Sequence, residues 1–308
     1  MNGLELAERY FFGVGFPALR EEFEPYVGRL AAGLVGDGSE CFGYDDELSR
    51  DHDWGPGFCV WLTAEDFGTA GARMQALIDR LPGSFEGFPP RQTSSWGEGR
   101  VGVFEISSFY RGFIGLDRLP VEPDEWLMLP ESALAACTNG RVFLDGPGEF
   151  SRWRNRLLAF YPEDVRRKKI AARAMTAGQA GQYNFPRCSR RGELFAARYA
   201  EVKFCADAIS MAFLLERRYA PFYKWMHRTV KSLQVLGDWL HREIDSLVRE
   251  TDASRKEAVI EEVSAGLIQE LQRQGLSDCA SSFLPDHGPA IQRTIEDQGL
   301  RERNVWVG

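Results

Sequence analysis

The chain is predicted to be α+β, with a small α/β half followed by an all-α half. Three observations point there. Apolar runs of strand length are confined to the first half of the 308 residues. From about 149 to about 275 apolar residues recur at helical spacing instead. The turn-forming run Asp145-Gly-Pro-Gly148 lies between, so the chain divides into 1–148 and 149–308.

Taken in order, 4–12 and 17–30 carry helical periodicity, interrupted near Gly13, Gly15 and Pro17, and Pro25 opposes one unbroken second helix. Leu30-Ala-Ala-Gly-Leu-Val-Gly36 is short and apolar, either a buried strand or the end of the preceding helix. Phe58-Cys-Val-Trp-Leu-Thr63 is the second strand candidate. Glu65 and Asp66 then suit a helix start, and 64–81 reads as an amphipathic helix stopped by Pro82. Residues 82–98, rich in Gly, Pro and Ser, read as a loop. Val101-Gly-Val-Phe-Glu-Ile106 is the third strand candidate and Val142-Phe-Leu144 the fourth, with short helices over 120–138 between them. The helical half is expected at 149–159, 162–177, 191–217, 219–248 and 253–274.

Hydrophobic residues at 44% and charged residues at 27% are globular proportions, so a disordered or fibrous chain is excluded. No apolar run reaches the roughly 18 residues a membrane span needs. The N-terminus lacks a basic region before an apolar stretch, so no secretory signal is read and a cytoplasmic protein without membrane partners is expected. The six cysteines show no C-x-x-C spacing and do not cluster with the four histidines, which leaves small core residues rather than zinc ligands or a disulfide frame. A net charge of −8 argues against a protein that coats nucleic acid.

One segment carries chemistry: Gly38-Ser-Glu-Cys-Phe-Gly43, then Ser49-Arg-Asp-His-Asp53. Gly38 and Ser39 follow an apolar stretch and open a helix whose free N–H groups suit phosphate. The glycine permits close approach, and the hydroxyl adds a hydrogen bond. Asp51 and Asp53 alternate just before an apolar run. On a strand they would share one face, where like charges call for a cation, and hard oxygen ligands suit Mg²⁺. Glu105 breaks an apolar alternation with Val101 and Val103, unusual for a plain strand and expected of a site.

This spacing resembles the polymerase-beta-like nucleotidyltransferases, whose signature is Gly-Ser or Gly-Gly followed after about ten residues by Asp-x-Asp at a strand. Here 40–50 separate Ser39 from Asp51. A closer resemblance is to the bacterial group known as domain of unknown function 4037, carried by Gly38-Ser39, Phe42-Gly43, Ser49-Arg-Asp-His-Asp-Trp-Gly-Pro56 and Arg218-Tyr-Ala-Pro-Phe-Tyr-Lys-Trp225. It implies a small mixed-sheet nucleotidyltransferase domain followed by a helical bundle. It further implies transfer of a nucleoside monophosphate, AMP from ATP or another NTP, to an acceptor hydroxyl on two Mg²⁺ ions. Asp51 and Asp53 would bridge the ions. Glu105 would be the third acid, on the acceptor-side metal or taking the hydroxyl proton. Gly38 and Ser39 would hold the β- and γ-phosphates. Two departures stand: the third acid is Glu rather than the commoner Asp, and His52 sits where an apolar residue is usual. By likeness to aminoglycoside nucleotidyltransferases, Lys224 would reach the phosphates, while Tyr219, Tyr223 or Trp225 could stack on a base.

Other charged residues have simpler expectations. His52 orients a neighbouring carboxylate or packs, and Asp45 and Asp46 form a solvated turn. The basic residues Arg152, Arg154, Arg156, Arg166, Arg167, Lys168, Lys169 and Arg173 form a solvated helix face, with a groove for triphosphate or RNA as the sharper alternative. Phe204, Phe213, Tyr219, Phe222 and Trp225 are expected in a bundle core. The acceptor, whether small molecule, protein or RNA, is open. So are a nucleotide-binding regulatory module without transfer activity and a toxin-type transferase acting on tRNA or protein.

Overall fold

The computed structural model describes residues 1–95 and 97–308. It bears out the mixed class: a four-stranded mixed sheet amid many helices. The chain forms two compact units, Met1–Leu119 with Ala133–Ala159, and Pro120–Ser132 with Phe160–Gly308. Sequence patterning draws one division after 148, whereas here 120–132 belong with the later unit and 149–159 with the earlier. Ring packing accounts for both. Phe150 stacks on Trp61 at 3.8 Å and Trp153 on Tyr110 at 5.1 Å, tying the helix Glu149–Leu158 to the sheet. Trp126 meets Tyr161 edge-on at 6.0 Å, tying the helix Pro123–Met128 to the bundle.

In the first unit the strands are β1 (Ala31–Leu34), β2 (Cys59–Leu62), β3 (Gly102–Glu105) and β4 (Arg141–Asp145), in the order β3-β2-β1-β4. β1 runs antiparallel to β2 and β4, whereas β2 and β3 are parallel. Every residue of β1 and β2 is buried, as expected of central strands covered on both faces. One face carries Phe11, Phe58, Val60, Met74 and Val103. On the other, Trp61 meets Phe109 and Phe150. Leu30-Ala-Ala-Gly-Leu-Val-Gly36 is thus a strand. The segment before it ends its helix at Glu22 and continues as a tighter turn, Glu24–Arg29, begun by Pro25.

The second unit is a helical bundle around Leu194–Leu215, where Phe204, Met211 and Phe213 are fully buried. Glu163–Gly178 packs between it and Leu284–Gln292. The expected helix over 219–248 is two, Tyr223–Val230 and Gly237–Arg249. The break is fixed by Leu236 at φ 61° and by the Val235 N–H donating to Glu216 Oε2 at 2.8 Å. Helices at Ile106–Ile114, Phe185–Arg190, Leu284–Gln292 and Gln298–Glu302 were not legible as elements. Among the described residues no helix is long and apolar enough to cross a membrane. Cys41, Cys59, Cys137 and Cys205 are buried, as expected of small core residues. Burial pushes the Cys59, Cys137 and Cys205 thiols up to about 12, so none is a ready nucleophile.

Candidate functional site

Of the residues singled out by sequence, Gly38, Ser39, Asp51, Asp53 and Glu105 fall in the first unit and Lys224 in the second. Gly38 leaves β1 at φ 136°, a conformation that favours glycine, and Ser39 opens the single-turn helix Ser39–Phe42. A Cβ on Gly38 would lie 2.6 Å from Glu40 Oε2, so the turn closes over the Glu40 carboxylate. That carboxylate is buried and accepts from Arg91 Nη2 at 2.5 Å.

Asp51 and Asp53 are not on a strand. Asp51 follows the short helical turn Leu48–Arg50 with φ −70° and ψ −32°, Asp53 is left-handed at φ 53°, and β2 begins only at Cys59. The alternation expected to aim both carboxylates one way is therefore absent. The Asp51 side chain is 66% exposed and bonds His52 Nδ1 at 2.7 Å, so His52 does orient a neighbouring carboxylate. The Asp53 side chain is 4% exposed. The Trp-Gly-Pro run that follows keeps this segment irregular, with Gly55 at φ 137°.

The loop after the helix over 72–78 supplies the partners that sequence reading missed. Ser94 donates to Asp53 twice, N–H to Oδ1 at 2.8 Å and Oγ to Oδ2 at 2.6 Å, and Arg100 Nη1 stands 3.7 Å from Oδ2. Burial pushes the Asp53 carboxyl up, but the Ser94 donors, Arg100 and His52 outweigh it and hold the group below its ordinary value. Asp53 N–H donates to Gln92 O at 2.7 Å. Arg91 donates to Asp53 O as well as to Glu40, so one guanidinium joins the Gly38–Ser39 turn to the Asp51–Asp53 segment. A Cβ on Gly97 would lie 1.8 Å from Asp53 Oδ1, so only glycine fits there. The signal in sequence was two arginines and a serine in and beside a Gly- and Pro-rich loop, a composition that by itself names no partner. Asp45 is likewise no solvated turn: its Oδ2 accepts from Gly3 N–H at 2.7 Å and Trp54 Nε1 at 3.0 Å.

Glu105 ends β3 and caps the helix Ile106–Ile114, accepting from Ser107 N at 2.9 Å, Ser107 Oγ at 2.9 Å and Ser108 N at 2.7 Å. Burial raises its carboxyl, and the Ser108 and Ser107 donors more than offset this, leaving it below its ordinary value. The broken alternation thus has a local cause. The parallel register pairs Glu105 with Leu62 at the end of β2, whereas 51–53 precede its start at Cys59. The strand alone adds about 10 Å of separation at roughly 3.3 Å per residue. Among the described residues no three of His, Cys, Asp and Glu are grouped to hold a metal.

In the second unit Lys224 is exposed in the first turn of Tyr223–Val230, with Nζ 4.5 Å from the Trp225 ring. Phe204 and Phe213 are core, as expected, and Tyr219 stacks on Phe160 at 4.8 Å, but Phe222 is exposed. The basic run departs from expectation: Arg166, Lys168 and Lys169 are buried, not a solvated face. Arg166 pairs with Glu163 one turn earlier and with distant Gln274, while the acceptors of the lysines come from residues distant in sequence, beyond the reach of periodicity: Gln292 and Asn304 for Lys168, Leu127 for Lys169.

The family model described as domain of unknown function (DUF4037) matches residues 126–226, about a third of the chain, including the Arg218–Trp225 run but not the Gly38–Pro56 motif. No curated protein matches. One solved structure, of a nucleotidyltransferase-like protein from Exiguobacterium sibiricum 255-15, is similar at 10% identity and TM-score 0.41, over 91% of this chain and 80% of that one. Through residues 126–226 the chain matches the DUF4037 family, in keeping with the resemblance its sequence motifs carry.

Proposed function

We propose that the first unit is a magnesium-dependent nucleotidyltransferase domain, moving a nucleoside monophosphate, AMP from ATP, to a hydroxyl of an acceptor. What supports this most is the Arg91 bridge, which holds the Gly38–Ser39 turn and the Asp51–Asp53 segment as neighbours although 40–50 separate them in sequence. A phosphate-binding turn beside acidic side chains is what transfer from a triphosphate requires. Asp51 offers an exposed carboxylate to a cation, and Gly38 with Ser39 would hold phosphate oxygens. Mg²⁺ would neutralise the triphosphate and polarise the phosphorus under attack. The donor set does not fit a two-ion centre in the arrangement described, because Ser94 occupies both Asp53 oxygens and Glu105 closes a helix cap. Lys224 is kept as a candidate phosphate ligand.

Those two engagements favour a second reading, a nucleotide-binding module without transfer. Incubation of the full chain with labelled NTPs, Mg²⁺ and candidate acceptors (aminoglycosides, proteins, tRNA) separates the two. Transfer predicts pyrophosphate release and labelled acceptor, both lost in Asp51→Asn. Binding of ATP with no turnover on any acceptor would support the module instead.

A further inference from the structure

The second unit holds a cleft of 620 Å³ that neither reading uses. Its wall includes Lys169, Arg173, Glu131 and Ser210, and its lining also includes Met128, Phe222 and Tyr223. Val307 and Gly308 apart, every lining residue falls within 126–226, the segment that matches the family model.

Three lysines of this unit are buried, and they differ in what meets the ammonium. Lys256 is paired with Glu201 at 2.5 Å. Lys168 has no carboxylate but three acceptors for its three N–H groups: Gln292 Oε1 at 2.7 Å, Asn304 O at 2.8 Å and Arg303 O at 3.4 Å. Lys169 has only the carbonyls of Leu127 at 3.0 Å and Leu129 at 3.4 Å, with the Tyr161 ring 4.9 Å away. No carboxylate lies within ion-pair distance of it among the described residues, and of the three it alone lines the cleft. A buried cation without a counter-ion is costly. Glu131 opposes the Lys169 charge from beyond ion-pair distance, its oxygens held by Ser210 at 3.1 Å and Arg173 at 3.4 Å. Asp207, also in the lining, is paired with Lys203. Arg173 is satisfied by Glu131, by Ser210 and by the Gly308 oxygen at 3.0 Å, so Lys169 is the cation of this wall without an ion-pair partner among the described residues. At the mouth, Phe222 and Tyr223 stand exposed with ring centroids 4.4 Å apart, beside an exposed Met128. A concave site that pairs aromatic and apolar side chains with a few convergent charged groups is the usual form of a small-molecule site.

We propose that this cleft binds a small organic anion with a flat apolar body, its carboxylate or phosphate facing Lys169 and Arg173 and its body lying against Phe222 and Tyr223. The site is independent of nucleotide transfer in the first unit. Burial, with Arg173 adding to it against the opposing Glu131, brings Lys169 down to about 8. A bound anion favours the ammonium, so binding takes up protons near that pH and weakens as pH rises above it. The groups facing Lys169 are Glu131, Arg173, Tyr161 and Gly308, whose oxygen accepts from Arg173. Burial holds the Tyr161 phenol well above its ordinary value, and Lys168, which burial also brings down to about 8, does not line the cleft, so Lys169 is the cleft group with a resolved shift in that window.

The test is calorimetric titration of the full chain with phenyl phosphate and benzoate in separate arms and benzyl alcohol as the neutral control. Both anions keep a constant charge above about pH 7. At least one should bind about tenfold or more tighter than the alcohol, the worth of one charge-assisted contact. Its affinity should fall at least about fivefold between about pH 7 and about pH 10. Tyr223→Ala should weaken it several-fold without altering the unfolding transition, and Lys169→Met should abolish the preference for anions. If Lys169→Met fails to fold, the pH series and Tyr223→Ala decide the matter on the intact site. Equal binding of the alcohol, no binding of either anion, or affinity indifferent to pH would overturn the proposal.

Discussion

Two charged regions of this chain behave oppositely to their sequence patterns. The acids at 51 and 53 look alike and look like a ligand pair, yet one side chain is 66% exposed and the other 4%. The basic run from Arg166 to Arg173 looks like a wet helix face, yet Arg166, Lys168 and Lys169 are buried. What separates pattern from outcome is partners distant in sequence. Ser94 and Arg100 claim Asp53, while Gln292, Asn304 and the carbonyls of Leu127 and Leu129 claim the lysines. A charge inside a protein is placed by what can satisfy it, and that is set by the tertiary fold.

The sharpest way to break the acidic half of this contrast is Gly97→Ala. Its Cβ would meet Asp53 Oδ1 at 1.8 Å. Denaturant unfolding should lose about 3–4 kcal/mol, as for an uncompensated buried charge. In the basic half, Lys168→Met leaves the Asn304 and Gln292 oxygens without their donor and should cost about 2–3 kcal/mol in the same assay. Ser94→Ala removes the 2.6 Å hydroxyl donor to Asp53 and should cost about 1–2 kcal/mol at neutral pH. Asp53 titrates below its ordinary value, so its contribution is complete above that value and is lost as pH falls through the lowered one. The gap between wild type and Ser94→Ala should therefore hold at neutral pH and close under acid, where both carboxyls are protonated. Smaller again is Glu105→Ala, which deletes a helix cap and should cost about 1 kcal/mol. Unchanged turnover in that variant would mark Glu105 as a cap alone, and lost turnover with intact ATP binding would restore it to the chemistry.

Much of the frame was readable beforehand because it rests on local pattern. The apolar runs at 31–34 and 59–62 become central strands, and the stop at Pro25 is where the second helix gives way. The helix Ile106–Ile114 escaped because it starts directly from β3, with Glu105 serving both elements at once. The same double duty made Glu105 resemble a ligand. For the site, the Gly38 turn was legible because its geometry needs glycine. Arg91 and Ser94 were not, since a loop reveals its partners only when the fold closes.

The most direct measurement is calorimetric binding of a non-hydrolysable ATP analogue with and without Mg²⁺, on wild type and Asp51→Asn. Asp51 is exposed, so the variant should keep wild-type stability to within about 0.5 kcal/mol. The proposed function predicts Mg²⁺-dependent binding that weakens about tenfold or more in Asp51→Asn, the loss expected when a charged metal ligand is removed. Binding that ignores both the metal and Asp51, or no binding at all, would contradict it.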